Sequence, residues 1–108
     1  MQKINSYFAV VLMFLVIVGC SQETEIEKHG KHFQKHNDYK SLSKVVELIK
    51  IDDDTSYVKK ILGKPIDMGF DYRYLIDSTG VKGCPIGAVF HISELGKIDQ
   101  KWIDEICE

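Results

Sequence analysis

The chain opens with a block of apolar residues that is too short to cross a membrane. Residues 8–18 are all apolar, and a helix of that length rises only about 16 Å, roughly half the hydrocarbon thickness of a bilayer. A charged start at Lys3, a short apolar core and a small residue before a polar segment are typical of a secretory signal peptide. We therefore predict that residues 1–19 are a signal peptide.

Between residues 42 and 62 the apolar positions follow a helical period and predict two short helices. The run of aspartates at 52–54 separates them, and Asp54 is suited to cap the second helix. Gly63 ends that helix, and Pro65 prevents its continuation. The two apolar stripes are Leu42, Val45, Val46 and Ile49, then Val58, Ile61 and Leu62.

After Pro65 the apolar positions alternate with a period of two, which is typical of strands with one buried face. The first strand carries Phe70, Tyr72, Tyr74 and Ile76 on its apolar face. A second strand over 85–93 is followed by a turn at 94–97 and by a third strand that starts near Ile98 and carries Trp102. We predict an α+β fold in which two N-terminal helices pack on one face of a three-stranded antiparallel β-meander.

The residues around Cys20 suggest a covalent modification. Ile17-Val18-Gly19-Cys20 resembles the bacterial lipobox. In that family of precursors the cysteine sulfur receives a diacylglyceryl group and cleavage leaves the cysteine as the acylated N-terminus, with acyl chains such as palmitate. Similar lipoproteins retained at the inner membrane usually carry Asp where this chain has Ser21. The resemblance therefore implies a lipoprotein of the outer membrane, facing the periplasm; the alternative is an ordinary signal peptide with an incidental cysteine.

The other two cysteines, Cys84 and Cys107, would lie in a compartment where disulfides persist. In a hairpin centred between residues 95 and 96 they lie opposite each other. That register also opposes Phe90 to Lys101, whereas pairing Phe90 with Trp102 needs a shift by one residue. A β-bulge or an early end of the last strand would reconcile the two. We predict a disulfide, because a domain of this size commonly needs a staple.

The segment between the signal peptide and the first predicted helix is mostly polar. Residues 21–40 contain only Ile26, Phe33 and Tyr39 as large apolar side chains, which indicates a solvated linker. The predicted organisation is therefore a signal peptide at 1–19, a lipidated cysteine with a flexible tether at 20–40 and a folded domain at 41–108.

Residues 42–65 resemble the helical half of the BamE-like (SmpA/OmlA) lipoprotein domain. The matching positions are Ile51 before the turn, Asp54 at the cap, Val58 within the helix and residues 62–65, Leu-Gly-Lys-Pro, at the close. The family usually has glycine where this chain has Asp52. The resemblance implies an ααβββ domain that binds another envelope component, such as an assembly complex of the outer membrane, and has no chemistry of its own.

Candidate catalytic and metal-binding residues are few. His29, His32 and His36 would share a helix face that could bind zinc or copper, but no further ligand completes the site. Cys84 and His91 follow no nucleophile motif, and the aspartates at 52–54 lack the glycine and glutamate of a calcium loop. We predict no enzymatic activity, no metal and no cofactor.

An interaction with a protein is the remaining expectation. The aromatic residues of the strands could form a recognition patch, although we expect most of them to lie in the core against the two helices, with one or two at the sheet edge. The sheet face opposite the helices is available to a partner. Loss of Lys3 with the signal makes the formal charge −3, from 14 basic and 16 acidic side chains in the whole chain, which offers no footprint for nucleic acid. The alternative function is a periplasmic immunity or inhibitor lipoprotein whose acidic surface neutralises a positively charged toxin or lytic enzyme. The candidate interaction residues are Phe70, Tyr72, Tyr74 and Trp102.

Overall fold

Three helices followed by four strands make up residues 23–108, the part of the chain that the computed structural model describes. The helices are α1 (Glu25–His36), α2 (Tyr39–Leu48) and α3 (Thr55–Leu62), and the strands are β1 (Ile66–Asp67), β2 (Asp71–Thr79), β3 (Pro85–Ile92) and β4 (Ile98–Glu105). The sheet is antiparallel and its strand order follows the chain. The predicted α+β class is confirmed, with one more helix and one more short strand than expected. The predictions for residues 1–19 and Cys20 lie outside the described residues.

The two predicted apolar stripes form the core between α2, α3 and the sheet. Leu42, Val45, Ile49 and Val58 have no exposed surface. Asp54 occupies the N-cap position of α3, as predicted, but its side chain makes no capping hydrogen bond and instead pairs with Lys97.

The prediction of a flexible tether over 20–40 is wrong for the residues that form α1 and the start of α2. Helix α1 begins after Thr24, whose side chain accepts a hydrogen bond from the amide of Glu27. Ile26 and Phe33 are buried, because they lie seven residues apart and therefore on one face of the helix. The apolar stripe is narrow, so the helix must come unusually close to its neighbour to bury it.

Gly30 allows that close approach. It lies between Ile26 and Phe33 on the same face of α1, and a Cβ atom added to it would come within 2.3 Å of the carbonyl oxygen of Ile61 in α3. The same carbonyl oxygen accepts a hydrogen bond of 2.9 Å from the side-chain amide of Gln34. Helix α1 is therefore packed directly against the end of α3.

The register of β3 and β4 places Phe90 opposite Lys101 and Val89 opposite Trp102. The alternative that pairs Phe90 with Trp102 is therefore wrong, and the irregularity lies elsewhere, between His91 and its neighbour Ile92. Lys101 is tolerated beside the core because its ammonium group donates hydrogen bonds to backbone carbonyl oxygens at the end of α2. The acceptors belong to Val46, Glu47 and Ile49.

Replacing Lys101 by methionine should reduce the free energy of unfolding by about 1–2 kcal/mol, because the carbonyl oxygens at the end of α2 lose a charged donor. Urea unfolding monitored by circular dichroism measures the change. Lys60→Met, at an exposed position on α3, is the matched control and should change the stability by less than about 0.5 kcal/mol. Equal effects of the two substitutions would contradict the role given to Lys101.

Within residues 23–108, none of the three helices has the length and apolar character that crossing a bilayer requires.

Candidate functional site

The sheet face turned away from the helices is the candidate site, and we call it the open face. Alternation along the strands separates its residues from Tyr72, Tyr74, Ala88 and Phe90, which lie in the core that the helices cover. The pairing register of β2, β3 and β4 arranges the residues of the open face in three rows that run across the strands. The rows are Asp71–His91–Gln100, Arg73–Val89–Trp102 and Leu75–Gly87–Asp104.

The structure divides the four predicted interaction residues into two pairs. Tyr72 and Tyr74 are buried at 7% and 4% exposure and are not available to a partner. Burial raises the pKa of the Tyr74 phenol, whose hydroxyl donates a hydrogen bond of 2.8 Å to the carbonyl oxygen of Gly63. Phe70 and Trp102 are 54% and 42% exposed, so they keep the surface that a partner would need.

An ion-pair network lies at the centre of the open face. The carboxylate of Asp71 is buried and accepts a hydrogen bond of 3.2 Å from Nε of Arg73. Arg73 also pairs with Glu108 near the end of the chain, and its hydrogen bonds to Glu108 and Asp71 raise its pKa. A buried carboxylate needs such a partner. The guanidinium group of Arg73 is therefore already paired within the fold.

A groove of about 430 Å³ lies beside this network, at the end of the sheet that carries the disulfide. Cys84 and Cys107 are bonded to each other with their Cα atoms 5.3 Å apart, as predicted from the hairpin register. Exposed apolar residues, among them Ile66 and Met68 at 49% and 40% exposure, contribute to the groove walls. The groove is lined in part by Ile66, Met68, Leu75, Pro85, Ile106 and the disulfide.

Glu105 is a structural residue that the sequence pattern did not reveal. Its carboxylate accepts hydrogen bonds from the backbone amides of Lys82 and Cys84, at 2.9 and 2.8 Å, and so holds the loop before β3. Among residues 23–108, Cys84, Glu105 and Cys107 are also the one group of three potential metal ligands. Since the two sulfur atoms are bonded to each other and the carboxylate binds backbone amides, the group already serves as a staple.

His32 of α1 belongs to a polar network at the start of α2, and the other two histidines of α1 do not complete a metal site with it. Nδ1 of His32 lies 2.9 Å from Oδ1 of Asp38 and 2.7 Å from the hydroxyl of Ser41. A catalytic triad places the hydroxyl and the carboxylate on opposite ring nitrogens, whereas here both meet the same one. The ring of His36 lies 4.4 Å from that of His32 and is tilted by 39° to it, and His29 approaches Glu25 instead. The structure therefore does not bring the three histidines together as ligands.

Asp38 caps α2 in its ionised form. Partial burial acts to raise its pKa, but hydrogen bonds from the backbone amide and hydroxyl of Ser41 and from His32 prevail and lower it to about 2. A carboxylate with so low a pKa is a poor proton donor or acceptor near neutral pH. The network therefore stabilises the helix start.

The aspartates at 52–54 join the loop between α2 and α3 to the turn between β3 and β4. Asp52 has φ 77°, and its amide donates a hydrogen bond of 2.7 Å to the carbonyl oxygen of Ile98. The side chain of Asp53 accepts a hydrogen bond from the amide of Lys50. In addition to the predicted capping and solvation, these aspartates therefore make specific contacts, both within the loop and with β4.

No protein-family model, curated protein or solved structure matches this chain.

Proposed function

We propose that this protein is an outer-membrane lipoprotein, anchored through Cys20, whose folded part is a non-enzymatic module that binds a periplasmic protein. The observation that carries the binding role is the open face, where Trp102 stays exposed while three helices bury the other face of the sheet. Phe70, directly before β2, is also exposed, and its ring lies 6.5 Å from that of His91. An exposed indole and an apolar groove on one sheet face are the kind of surface that protein partners bury.

The position of α1 supports a specific orientation for such an anchored module. Only four Cα–Cα steps separate Cys20 from Thr24, which limits the reach of the connecting chain to about 15 Å. Thr24 lines one groove together with Asp53 and Tyr57, and Asp54 contacts Lys97 in the turn between β3 and β4. A lipid on Cys20 would therefore be tethered near the turn end of the sheet.

The disulfide groove lies at the opposite end of the sheet. Strand β4 runs from Ile98 at the turn to Glu105 beside the disulfide, a span of roughly 25 Å for eight residues. An anchored module would present this groove to the periplasm and keep the turn end near the lipid. This geometry favours a partner in the periplasmic space over the membrane surface itself.

The resemblance to the BamE-like domain is part of the proposal. It is supported by the two helices that precede the longer strands, by the close of α3 at Gly63 and by the positive φ of Asp52 at the position where that family usually has glycine. Helix α1 and strand β1 are features that the resemblance did not imply.

Site-specific photo-crosslinking in intact cells tests the binding role. A photoreactive residue at Trp102 should yield one protein adduct from the envelope, and the same residue at Lys60 on α3 should yield little. A resident assembly protein would favour the BamE-like reading, whereas a toxin-like enzyme would favour the immunity or inhibitor alternative. An adduct at Lys60 alone, or at neither position, would contradict a binding role for the open face.

The lipid anchor has its own test. Cys20→Ser should abolish acylation, measured by incorporation of labelled palmitate, and should block processing, measured as a shift in mass. Cys84→Ser is the matched control and should be acylated like the wild type. A Cys20→Ser protein that is processed and membrane-bound like the wild type would contradict the anchor.

A further inference from the structure

Acidic side chains are concentrated in the half of the chain that forms the sheet. Residues 66–108 contain eight Asp and Glu against four Lys and Arg, whereas residues 23–65 contain eight against nine. Three of the four basic residues of the sheet half are already engaged by groups within the fold. Arg73 binds Asp71 and Glu108, Lys97 pairs with Asp54, and Lys101 binds carbonyl oxygens of α2.

Two acidic residues of β4, Asp99 and Asp104, lie on either side of Trp102 along the strand. Asp104 lies two residues further along β4 and therefore on the same face. Asp104 is exposed. The one hydrogen bond that its carboxylate makes within the described residues is accepted from the backbone amide of Glu105. On the other side of Trp102 along β4, Oδ1 of Asp99 lies 2.7 Å from Nδ1 of His91. The exposed Trp102 thus follows Asp99 and precedes Asp104 on β4. Arg73, the one arginine or lysine in the three rows of this face, is already paired.

An indole beside carboxylates suits one type of group in particular. A guanidinium or ammonium group is attracted to the face of an indole ring and forms charge-assisted hydrogen bonds with a carboxylate. The groove beside Arg73 and Leu75, which lie on the same sheet face as Trp102, offers apolar walls for neighbouring residues of the partner. The three features together fit a basic surface with apolar residues among the charges.

The same charges disfavour two other occupants. A second copy of the chain would bring the carboxylates of one open face against those of the other, and like charges at an interface cost several kcal/mol. An anionic lipid surface would be repelled for the same reason. A protein surface that carries exposed arginine or lysine is the occupant that the charges favour.

We infer that the open face binds a cationic surface of a partner protein at Trp102 and Asp104, on the edge strand β4, by taking an arginine or lysine side chain between the indole and the carboxylate. The inference rests on the proposed binding function and adds the chemical class of the partner. It also assigns to Asp104 a role in recognition.

Trp102 is the only tryptophan of the chain, so its fluorescence reports binding at this site directly. The full chain in non-ionic detergent is titrated with a synthetic peptide of alternating arginine and leucine, which contains no aromatic residue. We expect a saturable change in emission whose apparent Kd rises about tenfold between low salt and 0.5 M salt, because the contact is electrostatic. A peptide of alternating glutamate and leucine should leave the emission unchanged.

Charge substitutions identify the recognition residue. Asp104→Lys should raise the Kd for the cationic peptide about tenfold or more, and Asp104→Asn should raise it severalfold without adding a charge. Glu94→Lys, which makes the same change of charge in the exposed turn between β3 and β4, should change the Kd less than twofold. Circular dichroism confirms that each variant is folded before it is titrated.

The following results would overturn the inference. An absent response to the cationic peptide, an equal response to the acidic peptide, or equal effects of Asp104→Lys and Glu94→Lys would exclude specific recognition at this face. A response to vesicles of phosphatidylglycerol that matches the response to the peptide would assign the charge pattern to lipid. A crosslinked partner whose contact peptide is acidic or uncharged would overturn this inference and leave the proposed binding function intact.

Discussion

Replacing Gly30 by alanine should destabilise the fold by about 2 kcal/mol, although alanine is the better helix former. Helix propensity alone favours alanine by about 1 kcal/mol. The added Cβ atom, however, would lie 2.3 Å from the carbonyl oxygen of Ile61 and 2.7 Å from its Cγ2 atom. Because the closest obstacle is backbone, α1 must move away from α3, and overpacking of this kind costs typically 1–3 kcal/mol or more. We expect the steric term to prevail.

Urea unfolding of the full chain in non-ionic detergent, followed by circular dichroism, gives the change in free energy for Gly30→Ala. Lys28→Ala is the control, since it introduces the same residue at an exposed position of the same helix and should change the stability by less than about 0.5 kcal/mol. Hydrogen exchange should show that the amides of α1 lose protection first in the Gly30 variant. Increased stability of Gly30→Ala would mean that α1 does not pack against α3 and that residues 25–36 behave as the tether expected from the sequence.

The contrast between α1 and the other helices shows where the sequence pattern carries information. Helices α2 and α3 each bury three or more large apolar side chains at helical spacing, so the period is visible in the sequence. Helix α1 buries Ile26 and Phe33 with Gly30 between them. A glycine at the centre of a buried stripe weakens the periodic signal, although it is the residue that makes the contact possible. The pattern of residues 21–40 therefore favours a polar linker.

The sequence pattern does not predict strand β1, for a different reason. It consists of two exposed residues, Ile66 and Asp67, which pair with Arg73 and Tyr72 of β2. So short an element has no period of its own. It forms because the chain leaves α3 beside the edge of β2, which is a consequence of tertiary structure.

The composition of the open face could be predicted only in part. The alternation in β2 correctly assigns Tyr72 and Tyr74 to one face and their neighbours to the other. It does not decide which side chains of β4 lie on the open face, because the two possible registers of β3 and β4 differ by one residue. The choice depends on Lys101, which reaches the end of α2 across more than fifty residues of sequence. The pairing of Arg73 with Glu108 spans 35 residues of sequence. Contacts of this range leave no local signal.

Removal of the disulfide should cost more than any surface substitution, about 3–4 kcal/mol in the free energy of unfolding. Cys84 and Cys107 are separated by 23 positions, and closing a loop of this length in the unfolded chain accounts for roughly 3.5 kcal/mol in the entropic model. The double variant Cys84→Ser with Cys107→Ser keeps the polar contacts of Glu105 with the amides of Lys82 and Cys84. We therefore expect a folded but weaker domain.

The comparison of oxidised and reduced protein isolates the effect of the bond. Dithiothreitol should lower the urea midpoint of the wild type to that of the double serine variant, and it should leave the midpoint of the variant itself unchanged. Release of the bond should also loosen residues 106–108, because Glu108 is held to Arg73 only by a surface ion pair. Earlier hydrogen exchange at the end of β4 would report this loosening. If reduction leaves the wild-type midpoint unchanged, the hairpin alone fixes this end of the sheet and the disulfide is not the staple that so small a domain was expected to need.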